Sequence, residues 1–249
     1  MHNQFDVECI FDTRGIFIGN GWGKHFLLPL KYGSPCTIVS YGLSTDVSFE
    51  EELSTRYNCT GLAMDPTVDF GGVAARTLEK TAIKFSMSGA PLLGPQQKFP
   101  EETSVPEAIS TVSADSSLSV LKMDCEGCEY AVPRDSKGKN IFNKIEQFAV
   151  ELHIDRRFLQ TSEHMEAFES LLGMLDESGL EVSMLHFTGC GEDSGDNLAA
   201  HKMTKQNPDA PRLLHHPCIE EFEKAIGHSC RLTCVNVLFS RNMKVNSQA

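Results

Sequence analysis

A regular alternation of short apolar segments with helical ones constrains the fold of this 249-residue chain more than any other feature. Five apolar segments of strand length occur in the first two thirds, and two more follow near the end. They are residues 37–41, 60–65, 81–87, 118–124, 146–154, 180–187 and 231–240. Hydrophobic strands that alternate with helices are typical of a parallel sheet covered by helices on both faces. We therefore predict an α/β fold with a seven-stranded, mostly parallel sheet.

Capping residues and apolar spacing mark the helices between these strands. Ser48 and Glu51 have the spacing of a capping box and open a helix with Phe49 and Leu53 on one side. Residues 73–80 have a helical composition. A further helix starts near Ser162, ends at Gly179, and has an apolar inner face of Met165, Phe168, Leu171, Leu172 and Leu175.

The last two strands are joined differently from the others. A long polar stretch and a short helix at 219–226 separate them, and such a connection allows the final strand to run antiparallel. Two segments rich in Gly, Pro and polar residues, 88–107 and 189–212, are predicted loops. We expect residues 188–218 to form a lid or substrate loop, because long connections often do so.

Length and charge limit the classes of function. We treat residues 1–249 as one domain, with 1–35 as an N-terminal entry segment. The net charge of −12 disfavours binding to nucleic acid, whose affinity comes largely from Lys and Arg. No apolar run approaches the roughly 20 residues of a membrane span, and no signal peptide is predicted. Nine irregularly spaced cysteines do not suggest a disulfide framework, so we expect mostly reduced thiols and a cytoplasmic location.

The first strand–helix junction has the pattern of a cofactor site. The strand 37–41 ends at Gly42, which permits a tight turn or a close approach of backbone to ligand. Asp65 ends the next strand about 20 positions later, which is the spacing expected of an acid that binds a ribose. Asp65 could also simply cap the turn that begins at Pro66.

A single glycine at this junction favours a cofactor without phosphate over a dinucleotide. A pyrophosphate needs the three glycines of G-x-G-x-x-G, whereas S-adenosylmethionine has no phosphate. Its ammonium group could donate to Asp46, while Ser44 and Ser48 add polar contacts. Helix capping would account for Asp46 and Ser48 equally well.

A longer motif adds a resemblance to a known family. The string "VLKMDCEGCEY" (120–130) resembles the K-(I/M)-D-x-E-G-x-E signature of FkbM-type methyltransferases and related methyltransferase-like proteins. Further blocks resemble this family in the same order, at 19–27, 39–50, 63–67, 83–91 and 148–154. Leu43 and Ser44 depart from the family's usual continuation after the glycine, and the last strand follows its ending only loosely.

The resemblance implies a Rossmann-like class I methyltransferase that depends on S-adenosylmethionine. In that class the sheet has seven strands with an antiparallel last one, and FkbM-type enzymes methylate hydroxyl oxygens. The predicted cofactor-binding residues are Tyr41, Gly42, Ser44, Asp46, Ser48, Asp65, Pro66, Ser88, Gly89 and Asp124. The expected acceptor is a small molecule, a glycan or a lipid.

Acidic residues and a histidine follow the fourth and fifth strands and are candidates for catalysis. Asp124 ends the fourth strand, and Glu126 lies on the turn after it. Glu151 and His153 share one face of the fifth strand. We predict that Asp124 or His153 acts as the base, with Glu126 orienting or binding the substrate. The four residues could also hold a divalent metal, which the sequence does not favour, and His153 could be purely structural.

Other functions remain as alternatives. The chain could be a non-catalytic binding module that retains the fold. A nicotinamide-dependent oxidoreductase is disfavoured because neither G-x-G-x-x-G nor Tyr-x-x-x-Lys occurs. We interpret Cys125 and Cys128 as plain buried thiols. The Cys/His patch at 215–218 and 228–234 fits no standard zinc spacing.

Overall fold

Ten β-strands and five α-helices make up the regular structure of the residues that the computed structural model describes. These residues are 5–10, 12–30, 35–68, 72–93, 99–115, 117–136, 139–153, 162–190 and 234–241. Strands β1 to β10 are Phe5–Ile10, Ile16–Ile18, His25–Leu27, Thr37–Tyr41, Thr60–Met64, Ile83–Ser86, Leu118–Met123, Ile145–His153, Leu180–Cys190 and Cys234–Arg241. Helices α1 to α5 are Ser48–Tyr57, Val73–Leu78, Val105–Val112, Val132–Asp135 and Ser162–Glu177.

Eight of the strands form one sheet in the order β1-β9-β10-β8-β7-β4-β5-β6. The five strands from β6 to β8 in this order are parallel to one another. The last strand, β10, runs antiparallel to both of its neighbours, and β1 runs antiparallel to β9. Strands β2 and β3 pair separately. The described chain is thus an α/β protein with a mostly parallel sheet, consistent with a Rossmann-like fold.

The seven predicted strands are all present, and the antiparallel last strand is confirmed. The sheet also has an eighth strand, β1, inside the segment that we predicted only as an entry segment. Its partner β9 is distant along the chain, with Val7 opposite Phe187, 180 positions later, so no local pattern in the sequence reveals the pairing.

The two faces of the sheet carry separate apolar clusters. Helices α3, α4 and α5 cover one face, where Tyr130, Phe148 and Phe168 are fully buried. Helices α1 and α2 and the β2–β3 pair cover the other face, where Ile38 and Leu53 are fully buried. Burial on both faces explains why the central strands are continuous apolar runs.

The start of α1 differs in detail from the predicted capping box. Val47 occupies the N-cap position, and no side chain caps there. Ser48 is the first helical residue, and its hydroxyl accepts from Asn20 N (2.7 Å) instead of closing the box with Glu51. Asp46 Oδ1 accepts from Ser48 N (3.1 Å), so the acid two residues before the helix satisfies that amide.

Helix α3 lies partly in the stretch 88–107 that we predicted as a loop. The segment 88–107 contains six prolines and glycines in all, and this composition obscured the helix start at its end. Pro106 lies in the first turn of α3, where proline is compatible with a helix because no intrahelical partner is needed for its nitrogen.

The four cysteines whose side chains the structure describes form two disulfides. Cys36 pairs with Cys59 directly before the neighbouring strands β4 and β5, with their Cα atoms 4.5 Å apart. Cys125 pairs with Cys128 in the turn after β7. The expectation that these thiols are reduced is therefore not met. Cys36 and Cys59 are 23 positions apart and meet because β4 pairs with β5, and the interpretation of Cys125 and Cys128 as plain buried thiols is corrected to a bond across the turn.

Several sequence predictions fall outside the described residues. They are the helix at 219–226, the part of the lid at 191–218, and the Cys/His patch at 215–218 and 228–233. Residues 188–190 of the predicted lid are instead the end of strand β9. Within the described ranges, no helix combines the length and hydropathy needed to cross a bilayer.

Candidate functional site

A cleft of about 450 Å³ opens at the carboxyl ends of the central parallel strands. Strands β4 and β7 are neighbours there, and the chain leaves them toward opposite edges of the sheet, to β5 from β4 and to β8 from β7. Crevices at such a reversal of strand order are the usual ligand sites of open α/β sheets. The loops after β4, β5, β6 and β7 line the cleft.

Gly42 allows the loop after β4 to pass close to the end of β7. Its φ is +77°, and a Cβ atom at this position would lie 1.6 Å from the carbonyl oxygen of Asp124. Gly42 N donates to Met64 O (3.0 Å), and the buried ammonium of Lys122 donates to Gly42 O. Only glycine satisfies both the backbone conformation and the approach.

Asp65 holds the same loop from the other side of the cleft. Its Oδ2 accepts from Leu43 N (2.8 Å) and Ser44 N (2.9 Å), and its Oδ1 accepts from Thr67 N and Thr67 Oγ1. Burial by itself would raise the pKa of Asp65, but the bonds from Thr67, Ser44 and Leu43 outweigh it and lower the pKa. The carboxylate therefore lines the cleft as an anion that organises the loop.

Asp46 connects the cleft to the N-terminal segment. Its Oδ2 accepts from Gly23 N (3.0 Å), in the 3₁₀ turn Gly21–Gly23. Gly19 N donates to Glu52 Oε2 (2.9 Å), which attaches the same segment to α1. Burial opposes ionisation of Asp46, yet the hydrogen bonds from Ser48 and Gly23 keep its pKa lowered.

Part of the cleft lining is apolar. It includes Met64, Ala90 and Phe99, together with Gly89. A Cβ atom on Gly89 would lie 2.4 Å from the Phe99 ring, so the ring packs directly on the glycine backbone. A flat apolar ligand group fits such a wall.

The charged side chains that line the cleft are mostly acidic. Of the described lining residues, Asp46, Asp65, Asp124 and Glu126 carry carboxylates, and Lys122 carries the one ammonium. The Leu43 and Ser44 amides of the loop after β4 already donate to Asp65. The cleft is therefore suited to a ligand with positive charge more than to a phosphate.

A carboxylate–histidine cluster lies beside the cleft, at the ends of β7 and β8. The fully buried carboxylate of Glu129 accepts from His153 N (2.9 Å), and its Oε1 lies 3.0 Å from His153 Nδ1. His153 Nε2 lies 3.5 Å from Glu151 Oε2 and 3.9 Å from Glu126 Oε2. One potential ligand atom each of Asp124, Glu151 and His153 lies within 4.8 Å of the others.

Proton affinities within this cluster are coupled. Burial raises the pKa of Glu151, and the nearby carboxylate of Asp124 raises it further. Burial also opposes ionisation of Asp124, but the charge of Lys122 and a hydrogen bond to Glu151 outweigh it and lower that pKa. The two carboxyls can therefore share one proton, with the charge mainly on Asp124.

His153 carries a proton at neutral pH. Burial lowers its pKa, but the hydrogen bond to Glu129 and the charges of Glu129, Glu151 and Glu126 raise it to about 9. A protonated imidazole cannot accept a proton, so Asp124 is the better placed base of the two that the sequence suggested.

Backbone strain is concentrated on the walls of the cleft. Ser44 has φ +51° and Glu126 has φ +57°, and both line the cleft. Asn58, the other described non-glycine residue with positive φ, terminates α1. Left-handed backbone at a non-glycine residue is uncommon and occurs preferentially at functional sites.

Most of the predicted site residues lie together at the cleft. Those that line it are Gly42, Ser44, Asp46, Asp65, Pro66, Gly89, Asp124 and Glu126. Tyr41, Ser48 and Ser88 do not line it. The Tyr41 hydroxyl donates to Thr103 O (3.0 Å) and Ser88 Oγ bonds to Thr103 Oγ1, so both hold the segment before α3. Glu151 and His153 lie behind Asp124 and Glu126, not among the lining residues.

Two contributors to the site were not predicted in their observed roles. Glu129 orients His153 across 24 positions of sequence, which depends on the pairing of β7 with β8. Phe99 comes from the predicted loop 88–107, where the sequence offers no periodic signal.

The chain has no significant match to a protein-family model, to a curated protein or to a solved structure.

Proposed function

We propose that the chain is an S-adenosylmethionine-dependent methyltransferase that binds its cofactor in this cleft and methylates a hydroxyl oxygen. The observation that carries the proposal is the position of the cleft. The Gly42 turn and Asp65 lie on one side of the strand-order reversal, and an ionised Asp124 lies on the other. The resemblance of 120–130 to the FkbM-type signature supports the same assignment.

The charge of the cleft fits this cofactor better than a dinucleotide. S-adenosylmethionine bears a sulfonium and an ammonium group, and the lining provides four carboxylates against one ammonium. A pyrophosphate would meet these carboxylates without the free loop amides it requires, because the Leu43 and Ser44 amides donate to Asp65. The residues present therefore fit the methyl donor.

The lining residues suggest how the cofactor would be held. Phe99 and Met64 would contact the adenine, since they are large apolar side chains in the lining of the cleft. Asp65 would accept from the ribose hydroxyls, in competition with its present bond from Ser44 N. Asp46 would accept from the ammonium group of the methionine moiety.

The bound cofactor would supply an electrophilic methyl group for in-line displacement. The role of the chain is to align the acceptor oxygen and to take its proton, and alignment alone can supply much of a rate enhancement. Asp124 is the proton acceptor, because it is ionised and lies at the cleft. Glu126, whose side chain is 73% exposed, is free to contact the acceptor. A small molecule, a glycan or a lipid with a free hydroxyl would serve as substrate.

Isothermal titration calorimetry in buffer with EDTA tests the proposal. We expect S-adenosylmethionine to bind in the micromolar range and NAD not to bind. Asp65→Ala should abolish binding, because both the ribose contact and the loop anchor are lost. Phe99→Ala should weaken binding about tenfold, since stacking of a base on an aromatic ring contributes on the order of 1–3 kcal/mol.

Exposed Glu169 on α5 provides a matched control. Glu169→Gln removes one negative charge from an exposed position that does not line the cleft, and this variant should bind the cofactor as the unmodified chain does. If the folded chain bound NAD alone, the assignment would be wrong. If it bound neither ligand, the chain would be a non-catalytic binding module and the methyltransferase assignment would be wrong. In that case the hydrogen bonds from Leu43 N and Ser44 N would be the whole role of the Asp65 Oδ2 atom.

A further inference from the structure

The cluster beside the cleft has the composition of a metal site. Asp124 and Glu151 offer carboxylate oxygens and His153 offers an imidazole nitrogen, all within 4.8 Å of one another. Ligands at about 2.1 Å from an octahedral cation lie about 3 Å apart when adjacent and about 4 Å apart when opposite. Small side-chain rotations would therefore close the three groups around one ion.

The second shell of His153 matches that of a metal ligand. Glu129 lies 3.0 Å from Nδ1, so it fixes the ring with Nε2 toward Glu151 and Glu126. A carboxylate on one ring nitrogen and the metal on the other is the usual arrangement for a histidine ligand. Glu129 is itself held by donation from Gly127 N (3.0 Å) to its Oε2.

Charge and an unsatisfied polar atom point to a ligand in the same place. Four carboxyl groups, of Asp124, Glu126, Glu129 and Glu151, surround the His153 imidazole. A divalent cation would take the place of the proton that Asp124 and Glu151 share and of the proton on His153 Nε2, because metal ligands bind in their deprotonated forms. His25 of β3 packs against Phe49 on the sheet face that includes Ala149 of β8, and Glu151 and His153 share that face by strand alternation. The buried Nε2 of His25 has no hydrogen-bond partner among the described residues. A water molecule in the shell of a cation could bond to it.

We propose that Asp124, Glu151 and His153 bind one divalent cation of the Mg²⁺ or Mn²⁺ class beside the cofactor cleft. Carboxylate oxygens suit these hard cations, and a single imidazole is compatible with Mn²⁺ in particular. The function of the cation, which is to hold the acceptor hydroxyl and favour its ionisation, rests on the proposed methyl transfer.

Binding of Mn²⁺ to the metal-free chain tests the site independently of catalysis. The chain is dialysed against EDTA, the chelator is removed, and free Mn²⁺ is followed by its electron paramagnetic resonance signal. We expect one Mn²⁺ per chain. Glu151→Gln and Asp124→Asn should each lower the affinity at least about tenfold, and Glu129→Gln, which alters only the second shell, by about 10- to 100-fold.

Glu169→Gln is the matched control and should bind Mn²⁺ unchanged. Thermal unfolding adds a second readout, since Mn²⁺ should raise the midpoint of the unmodified chain but not that of Glu151→Gln. Absence of saturable Mn²⁺ binding, equal affinity in Glu151→Gln, or binding of Zn²⁺ alone would each overturn the proposal. Cofactor binding in EDTA is measured separately, so the failure of this site and the failure of the methyltransferase assignment give different results.

Discussion

At the scale of single residues, Asp65 both holds the loops at the cleft together and lines the cleft itself. Its carboxylate accepts four hydrogen bonds from the two loops that border the cleft, and it also faces the cavity. A carboxylate has about four acceptor positions, so any ribose must displace one of these donors. Binding of a ribose at Asp65 would therefore change the hydrogen bonds that hold the loop after β4.

Removing the charge of Asp65 should destabilise the fold in a pH-dependent way. The folded chain lowers the pKa of Asp65, so its ionised form stabilises the fold above about pH 4, and this contribution is lost as the pH falls through the lower folded value. Asp65→Asn should be less stable than the unmodified chain by about 1–3 kcal/mol at pH 7. The measurement is urea unfolding from pH 7 to pH 3.

The stability difference between Asp65→Asn and the unmodified protein should shrink as the pH falls below about 4. The carboxylate is protonated there first in the unfolded state, and then in the folded state as the pH reaches its lowered pKa. Glu169→Gln shows the general effect of removing one surface charge. A stability gap that stayed constant from pH 7 to pH 3 would mean that the ionised carboxylate is not what holds the loop.

Residue chemistry and spacing were sufficient to predict Gly42, Asp65 and Asp124 as neighbours, since each directly follows a strand of the parallel sheet. They were insufficient for Glu129, whose partner His153 is fixed by strand pairing rather than by distance along the chain. The protonation of His153 was equally inaccessible, because it depends on burial and on three surrounding carboxylates.

At the scale of elements, β4 and β5 are joined at both ends. Before the strands, Cys36 is bonded to Cys59, and Thr60 N donates to Cys36 O (2.9 Å). After them, Gly42 N donates to Met64 O (3.0 Å). The strands that deliver Gly42 and Asp65 to the cleft are therefore held in a fixed register.

Replacement of both Cys36 and Cys59 by Ser should reduce stability by about 3 kcal/mol, the value expected for a closed loop of this length. Reduction with dithiothreitol should lower the unfolding midpoint of the unmodified chain toward that of the double variant. The double variant itself should respond little, because the Cys125–Cys128 loop is very short. Peptide mapping without reduction should recover Cys36 linked to Cys59; free thiols at both positions would contradict the account.

Element positions were predicted where the sequence repeats a local pattern. Buried parallel strands are apolar runs, and all five in the centre of the sheet were found. Strand β1 was missed because its pairing is distant, and α3 was missed because proline and glycine precede it. Local composition cannot separate a loop from a helix that begins with proline.

At the scale of the whole molecule, strand order places the site. Strand order reverses between β4 and β7. The loops that line the cleft leave the carboxyl ends of central strands, and Gly23, from the N-terminal segment, donates to Asp46 on one of these loops. An acidic cleft on a chain of net charge −12 disfavours phosphate-rich ligands at both the local and the global level.

A crystal structure grown with S-adenosylhomocysteine, the demethylated product, would show whether the cleft binds the cofactor. We expect the product in the cleft, with its adenine against Phe99, its ribose hydroxyls on Asp65 and its sulfur directed toward Asp124. An empty cleft at saturating product, or product bound elsewhere on the chain, would contradict this expectation.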